Sequence, residues 1–292
     1  MLQGSLPALV TPFTDGALDL ATLKKLVEWH IAEGSNGLVP VGTTGESPTL
    51  THAEHETVVA EVVKAAAGRI PVVAGAGSNN TTESIRLAKH AESVGADAVL
   101  VVTPYYNKPT QAGLLAHFEA LAAATDLPMV LYNVPGRTSC DMLPATVAEA
   151  AKLAGVVAIK EATGDLRRAA QVISSVPDGF TVLSGDDFTC MPFCALGGHG
   201  VISVVSNLMP AETSQMIQAV RDHDLDRARK LQYKLMPLMD QLFVESNPIP
   251  VKAGAALLGF TDNELRLPLT PLEGDALEAL GQRLKGLGRL GS

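Results

Sequence analysis

The sequence predicts an α/β chain: a closed (β/α)₈ TIM barrel over residues 1–223, followed by a C-terminal helical domain over residues 224–292. Three observations predict it. Short apolar runs alternate with amphipathic stretches eight times within the first ~220 residues, which suits eight strand–helix units. Most runs are apolar throughout instead of alternating with polar residues, the pattern of parallel strands covered on both faces. The Gly-rich dinucleotide fingerprint of an open doubly wound sheet is missing after the first run. At 292 residues and 47% hydrophobic, the chain can bury a large core. Its 22 Lys and Arg against 31 Asp and Glu leave a net charge of -9, which argues against nucleic acid or an anionic membrane as partner. No apolar run reaches the ~18–20 residues of a membrane span, and no basic region precedes the first apolar residues, so a cytoplasmic protein is expected.

The elements follow in order. Leu6 to Val10 is the first strand, and Asp19 caps a helix from Leu20 to Ala32. Gly37 to Val41 is the second strand, and Thr51 with Glu54 forms a capping box for the helix from Thr51 to Ala67. Strands three to five are Ile70 to Ala74, Ala98 to Val102 and Met129 to Asn133. Their helices run from Thr82 to Val94, Gln111 to Ala124 and Leu143 to Ala151. The sixth strand ends at Lys160, the seventh is Phe180 to Ser184 and the eighth Gly200 to Val204. Beyond Asp224 only the Pro-interrupted Asn247 to Val251 is strand-like, so the remainder reads as helices packed on the barrel or on a partner. Cys140, Cys190 and Cys194 are too few for a disulfide framework. Cys190 and Cys194 share a helix face, with core packing expected and no metal. His52 and His55 are not spaced as His-Glu-x-x-His and face solvent or a subunit contact in this reading, with no zinc.

Lys160 carries the chemistry. Of eleven lysines it alone ends a buried-strand pattern, at the carboxyl end where α/β barrels place their active sites. Burial there strips hydration from an ammonium and favours the neutral amine, a nucleophile toward carbonyl carbon. A lysine that merely ends a strand and snorkels to water is the other reading of this stretch alone. Barrel geometry brings Thr43, Thr44, Tyr105, Tyr106, Tyr132 and Arg137 to the same rim. Phenol and threonine hydroxyls both donate and accept the protons an imine needs moved. Arg137, in the turn Asn133-Val-Pro-Gly-Arg-Thr138, can hold a carboxylate with two parallel hydrogen bonds. The Gly42-Thr-Thr-Gly-Glu46 loop could instead cradle phosphate, although it lacks the lysine and spacing of a P-loop.

Five segments in order, Gly42-Thr-Thr-Gly-Glu46, Thr103-Pro-Tyr-Tyr-Asn-Lys-Pro109, Tyr132-Asn-Val-Pro-Gly-Arg-Thr138, Ile159-Lys160 and Gly197-Gly-His-Gly-Val-Ile-Ser203, resemble the motif set of the dihydrodipicolinate synthase (4-hydroxy-tetrahydrodipicolinate synthase) family, and Asn247-Pro-Ile-Pro-Val-Lys252 extends the match into the tail. The resemblance implies a class I pyruvate-dependent aldolase of lysine and diaminopimelate biosynthesis. It also implies a homotetramer built as a dimer of dimers, using no cofactor and no metal. Pyruvate and aspartate-4-semialdehyde would be its substrates. Carried over by position, Lys160 would form the imine with pyruvate, and Tyr132 would shuttle protons through Thr44 to Tyr106, which reaches in from a neighbouring subunit. Thr43 would hold the pyruvate carboxylate and Arg137 that of the aldehyde, with Gly185 and Ile202 lining the site, mostly through backbone.

The rivals with the same barrel and lysine are N-acetylneuraminate lyase and the 2-keto-3-deoxy sugar-acid aldolases, from which Pro135-Gly-Arg-Thr138 separates this chain. An amino-acid-sensing barrel and a phosphate-binding isomerase rank below the aldolase. The resemblance also implies an allosteric lysine site at a dimer interface, made of Ser47, His52, His55, Asn79, Glu83 and Tyr105. Glu83 suits an ammonium, and Asn79, Tyr105 and Ser47 suit hydrogen bonds to an amino acid. Pro48 is less typical there and stiffens the loop.

Overall fold

Period-two alternation decides which way each strand's side chains point, and in the computed structural model, which describes residues 2–291, it sorts the apolar residues into two clusters. Strands β1 (Gly4–Pro7), β4 (Val73–Gly75), β5 (Ala98–Val102), β6 (Met129–Asn133), β7 (Val156–Glu161), β8 (Thr181–Ser184) and β9 (Gly200–Ser203) form one parallel sheet in the order β1-β9-β8-β7-β6-β5-β4. Leu6, Val73, Leu100, Val130, Ala158, Leu183 and Ile202 point into the barrel. Val99, Leu131, Ile159, Val182 and Val201 point out to the helices.

The ring closes through residues 37–41, expected as the second strand. Leu38 pairs with Val72 and Val39 with Ala8, both in parallel sense. The amide of Val39 donates to the Pro7 carbonyl (3.0 Å) and that of Leu38 to the Pro71 carbonyl (2.9 Å). Pro40 and Pro71 have no N–H to give, so this part of the ladder is intermittent and β4 begins three residues later than expected. Between β1 and the first helix lies a small hairpin absent from the sequence reading, β2 (Phe13–Thr14) and β3 (Ala17–Leu18). Its turn is Asp15-Gly16, both at positive φ (53° and 76°), the Asp-Gly pairing that two-residue hairpin turns favour.

Helices α1 (Leu20–Ala32), α2 (His52–Ala66), α3 (Thr81–Ser93), α4 (Gln111–Ala122), the short α5 (Pro135–Thr138), α6 (Pro144–Ala150), α7 (Leu166–Ser175), α8 (Cys190–Ala195) and α9 (Pro210–Arg221) cover the sheet. The expected caps are present: Asp19 accepts from the Thr22 amide, and Thr51 and Glu54 bond reciprocally. Cys190 and Cys194 are buried on α8, and burial pushes the Cys194 thiol up to about 12. In the tail, α10 (Leu225–Gln241) lies along α9, while α11 (Ile249–Leu257) and α12 (Gly274–Gly286) pack on each other. The segment before α11 brings Asn247 to Thr44, and the first turn of α11 brings Lys252 to Glu46. No helix among the described residues is long and apolar enough to cross a membrane.

Candidate active site

Lys160 and Tyr132 are register partners on β7 and β6, at equivalent inward positions. Lys160 is 6% exposed and Tyr132 7%, and the ammonium nitrogen lies 4.2 Å from the centre of the phenol ring. No carboxylate lies within ion-pairing distance of Lys160 among the described residues. The outward partners one step on, Asn133 and Glu161, are also in register. They are tied by Asn133 Nδ2 donating to Glu161 (3.2 Å), and Arg168 of α7 donates to Glu161 (2.9 Å) and Asp141 (3.1 Å). A buried guanidinium thus neutralises the carboxylates behind the strand ends, leaving the inward face to the lysine.

Gly185, just past β8, donates its amide to the Glu161 carbonyl (2.7 Å). A Cβ there would lie 2.8 Å from Lys160 Cε, so the missing side chain makes room for the lysine stem. These residues line a cavity of about 140 Å³ with Thr43, Thr44, Arg137, Asp186, Phe243 and Asn247. Thr44 is buried and its hydroxyl accepts from Asn247 Nδ2 (3.0 Å). Arg137, exposed on α5, donates to the Asn247 main-chain carbonyl (3.2 Å) and reaches over the cavity.

A second cavity, about 360 Å³, shares Gly42, Thr43, Tyr132 and Arg137 with the first. Ser47, His52, His55, Glu83 and Tyr105 line it. His52 meets Glu83 at 2.6 Å, and Ser78 also donates to Glu83, which holds that carboxyl below its usual range. Of the two histidines expected to face solvent or a subunit, only His52 is exposed to solvent. His55 is 7% exposed, and burial holds its imidazole down to about 4.

Three further placements differ from the sequence reading. Ile202 packs in the barrel interior with Leu183 and Tyr132 and does not line the smaller cavity. Asn79 is not on the wall of the larger cavity. Its neighbour Ser78 is, and the Asn79 carbonyl accepts from Asn107 (2.8 Å). Tyr105 and Tyr106, expected together on the rim, part company: Tyr106 has φ 74° and is 88% exposed, outside both cavities, while Tyr105 lines the larger one.

The sequence reading missed two residues of the tail. Asn247 joins Thr44 to Arg137. Lys252, fully buried, meets Glu46 of the Thr43–Thr44 loop at 2.5 Å and sits 3.9 Å over the Phe13 ring. Both stand in the Asn247 to Lys252 segment, whose polar ends around two prolines were the available signal.

A sequence profile of the dihydrodipicolinate synthetase family matches residues 1–287. The 4-hydroxy-tetrahydrodipicolinate synthase of Roseobacter denitrificans is 57% identical over 98% of this chain and 99% of its own length. Among solved structures, the chloride-inhibited dihydrodipicolinate synthase of Acinetobacter baumannii, complexed with pyruvate, superimposes with a TM-score of 0.97 at 46% identity, covering 99% of this chain and 100% of that one. The enzyme of Cyanidioschyzon merolae with lysine bound gives 0.96 at 40% identity, covering 99% of each. With the barrel, the unpaired inward lysine and these likenesses together, the chain belongs to the dihydrodipicolinate synthetase family.

Proposed function

We propose that the chain acts as a 4-hydroxy-tetrahydrodipicolinate synthase, a Schiff-base-forming lyase that condenses pyruvate with L-aspartate-4-semialdehyde in lysine and diaminopimelate biosynthesis. The observation that carries the reading is Lys160: buried, without a carboxylate partner, beside the Tyr132 phenol and on the wall of a cavity that Arg137 overhangs.

The Lys160 amine adds to C2 of pyruvate, and the former carbonyl oxygen takes two protons and leaves as water, giving the imine. Thr43, at the cavity wall, holds the pyruvate carboxylate. A proton lost from C3 gives the enamine, whose C3 attacks the aldehyde carbon while the aldehyde oxygen takes a proton. The semialdehyde's own amine then attacks C2, closes the ring and frees Lys160. Tyr132 and Thr44 move the protons, and Arg137 holds the aldehyde's carboxylate. The imine nitrogen is the electron sink, so the sequence of steps uses no cofactor. Tyr106, projecting into solvent from a left-handed backbone conformation, completes the relay of a neighbouring subunit within a homotetramer. The protein works in the cytoplasm.

Pyruvate with borohydride should leave one reduced adduct per chain, on the Lys160 peptide, and a coupled assay with the semialdehyde should show turnover. An adduct on another lysine would overturn the mechanism, and trapping without turnover would point to N-acetylneuraminate lyase or another aldehyde-specific aldolase.

The larger cavity serves as a lysine site. Glu83 takes the ammonium, Ser47 and Tyr105 offer hydrogen bonds, Asn79 backs the wall beside Ser78, and His52 and His55 flank the ligand. Because Thr43 belongs to both cavities, a ligand there acts on the catalytic loop directly. Lysine should inhibit the wild type at saturating pyruvate. Inhibition undiminished in Glu83→Ala would remove the site.

A further inference from the structure

We infer that Asn247 is a positioning residue that sets the direction of proton transfer through Thr44. The inference rests on the synthase reading and on three observations. Asn247 is 6% exposed, in a segment more than two hundred residues from Thr44 in sequence. Its Nδ2 donates to Thr44 Oγ1 at 3.0 Å. Its Oδ1 is buried and has no hydrogen-bond partner, while its main-chain carbonyl accepts from Arg137.

A threonine hydroxyl has one hydrogen and two lone pairs. With one lone pair occupied by the amide of Asn247, the hydroxyl cannot give its hydrogen back to that side. The hydrogen of Thr44 must point elsewhere, and the polar side chains sharing its cavity include Thr43, Tyr132, Lys160 and Asp186. The second lone pair stays open to accept a proton. Thr44 is thereby held as a group that passes a proton along the cavity and never back into the tail. Had the amide carbonyl faced Thr44, it would have captured that hydrogen and stopped the relay.

The same residue touches the two halves of the reaction by different atoms. The side chain reaches Thr44, which serves imine formation and C–C bond making. The main chain reaches Arg137, which serves the aldehyde's carboxylate. Side-chain substitution therefore separates them: it leaves the carbonyl that steadies Arg137 in place and removes only the donor to Thr44. Conversion to aspartate goes further. The carboxylate is an acceptor of the same shape, so it takes the hydrogen of Thr44, until protonation restores a donor.

The test uses full-length Asn247→Ala and Asn247→Asp beside wild type, in two assays: borohydride trapping of pyruvate without the semialdehyde, and coupled turnover from pH 5 to 9. Asn247→Ala should lower the trapping rate and kcat by roughly 10-fold or more, the scale of an impaired proton transfer, with KM for the semialdehyde within about twofold of wild type. Asn247→Asp should lose more than Asn247→Ala at alkaline pH. Its activity relative to wild type should recover as pH falls and the buried carboxyl, raised above the ordinary Asp value of ~3.9, takes up a proton. A merely structural asparagine would give losses that do not vary with pH. Equal losses for both variants at every pH, or a KM for the semialdehyde rising in step with the fall in kcat, would overturn the inference. If Asn247→Ala fails to fold, the isosteric Asn247→Asp decides alone through its pH profile. Wild type that neither traps pyruvate nor turns over would instead refute the synthase reading.

Discussion

Gly185→Ala tests whether the lysine's position depends on a missing methyl group. A Cβ at 185 would stand 2.5 Å from Ala162 Cβ, 2.8 Å from Lys160 Cε and 3.1 Å from Lys160 Cγ. Carbon atoms rest at about 3.5–4.0 Å from one another, so each of these neighbours must retreat by ~0.5–1 Å or more. Gly185 itself is anchored by its 2.7 Å hydrogen bond to the Glu161 carbonyl, and Ala162 is fixed by its amide's bond to the Asn133 carbonyl (3.0 Å). The flexible partner is the lysine stem, and Nζ moves with it. A displacement of about 1 Å at a reacting atom is on the scale of a 100-fold loss, and overpacking adds about 1–3 kcal/mol of destabilisation. The variant should fold with a melting temperature lowered by several degrees and trap pyruvate on Lys160 roughly 100-fold more slowly. Gly136→Ala, beside Arg137 but with nothing within 4 Å of its Cβ position, is the matched control and should trap at the wild-type rate. Wild-type trapping by Gly185→Ala, with an unchanged melting temperature, would refute the packing argument.

Arg137→Ala should leave pyruvate trapping largely intact while turnover falls by roughly 10- to 150-fold, the worth of a charged hydrogen bond; equal loss of both would assign Arg137 a structural role. Mixing inactive Tyr106→Phe subunits with inactive Lys160→Ala subunits should restore part of the activity. No rescue, with exchange confirmed by mass spectrometry, would place Tyr106 in its own chain's site. Burial holds the His30 imidazole down to about 3, against about 6.5 in an unfolded chain. The unfolded state therefore binds more protons between those values, so the His30 contribution is full above pH 6.5 and is lost at about 1.4 kcal/mol per unit as pH falls. Urea melts from pH 8 to 5 should show a shallower loss in His30→Gln than in wild type, and identical slopes would remove His30 from the account.

The barrel was legible because strands buried on both faces need continuous apolar runs, and those runs punctuate the chain at regular spacing. The lysine was legible for the same reason: a charge that ends such a run must go somewhere, and alternation sends Lys160 inward with Ala158 and sends Ile159 outward. The hairpin was not, since strands of two residues carry no periodicity, although the Asp15-Gly16 turn was in view. The burial of His55 was not legible because a capping box orients the start of α2 and says nothing of which face meets the barrel. Asn247 was invisible as a site residue for a different reason. Its contact with Thr44 spans most of the chain and is created by how the tail folds back, which no local pattern encodes.

The two buried lysines show that burial alone does not select a nucleophile. Lys252 is the more deeply buried, and desolvation pulls it down to about 8 against the attraction of Glu46. On that ground alone it could serve as a nucleophile near neutral pH. Its nitrogen, however, is bonded to Glu46 Oε1, faces the Phe13 ring at 3.9 Å, and lines neither cavity. The Glu46 carboxylate is bonded further to the Arg266 amide (3.2 Å), and Glu46 itself holds φ 56° at the end of the loop bearing Thr43 and Thr44. That lysine fastens the catalytic loop to the tail. Lys160 has the opposite arrangement: an aromatic face on one side, no carboxylate partner among the described residues, and open cavity ahead. A carbonyl carbon can approach only the second, so partner and access, not depth, divide the two lysines between fastening and chemistry.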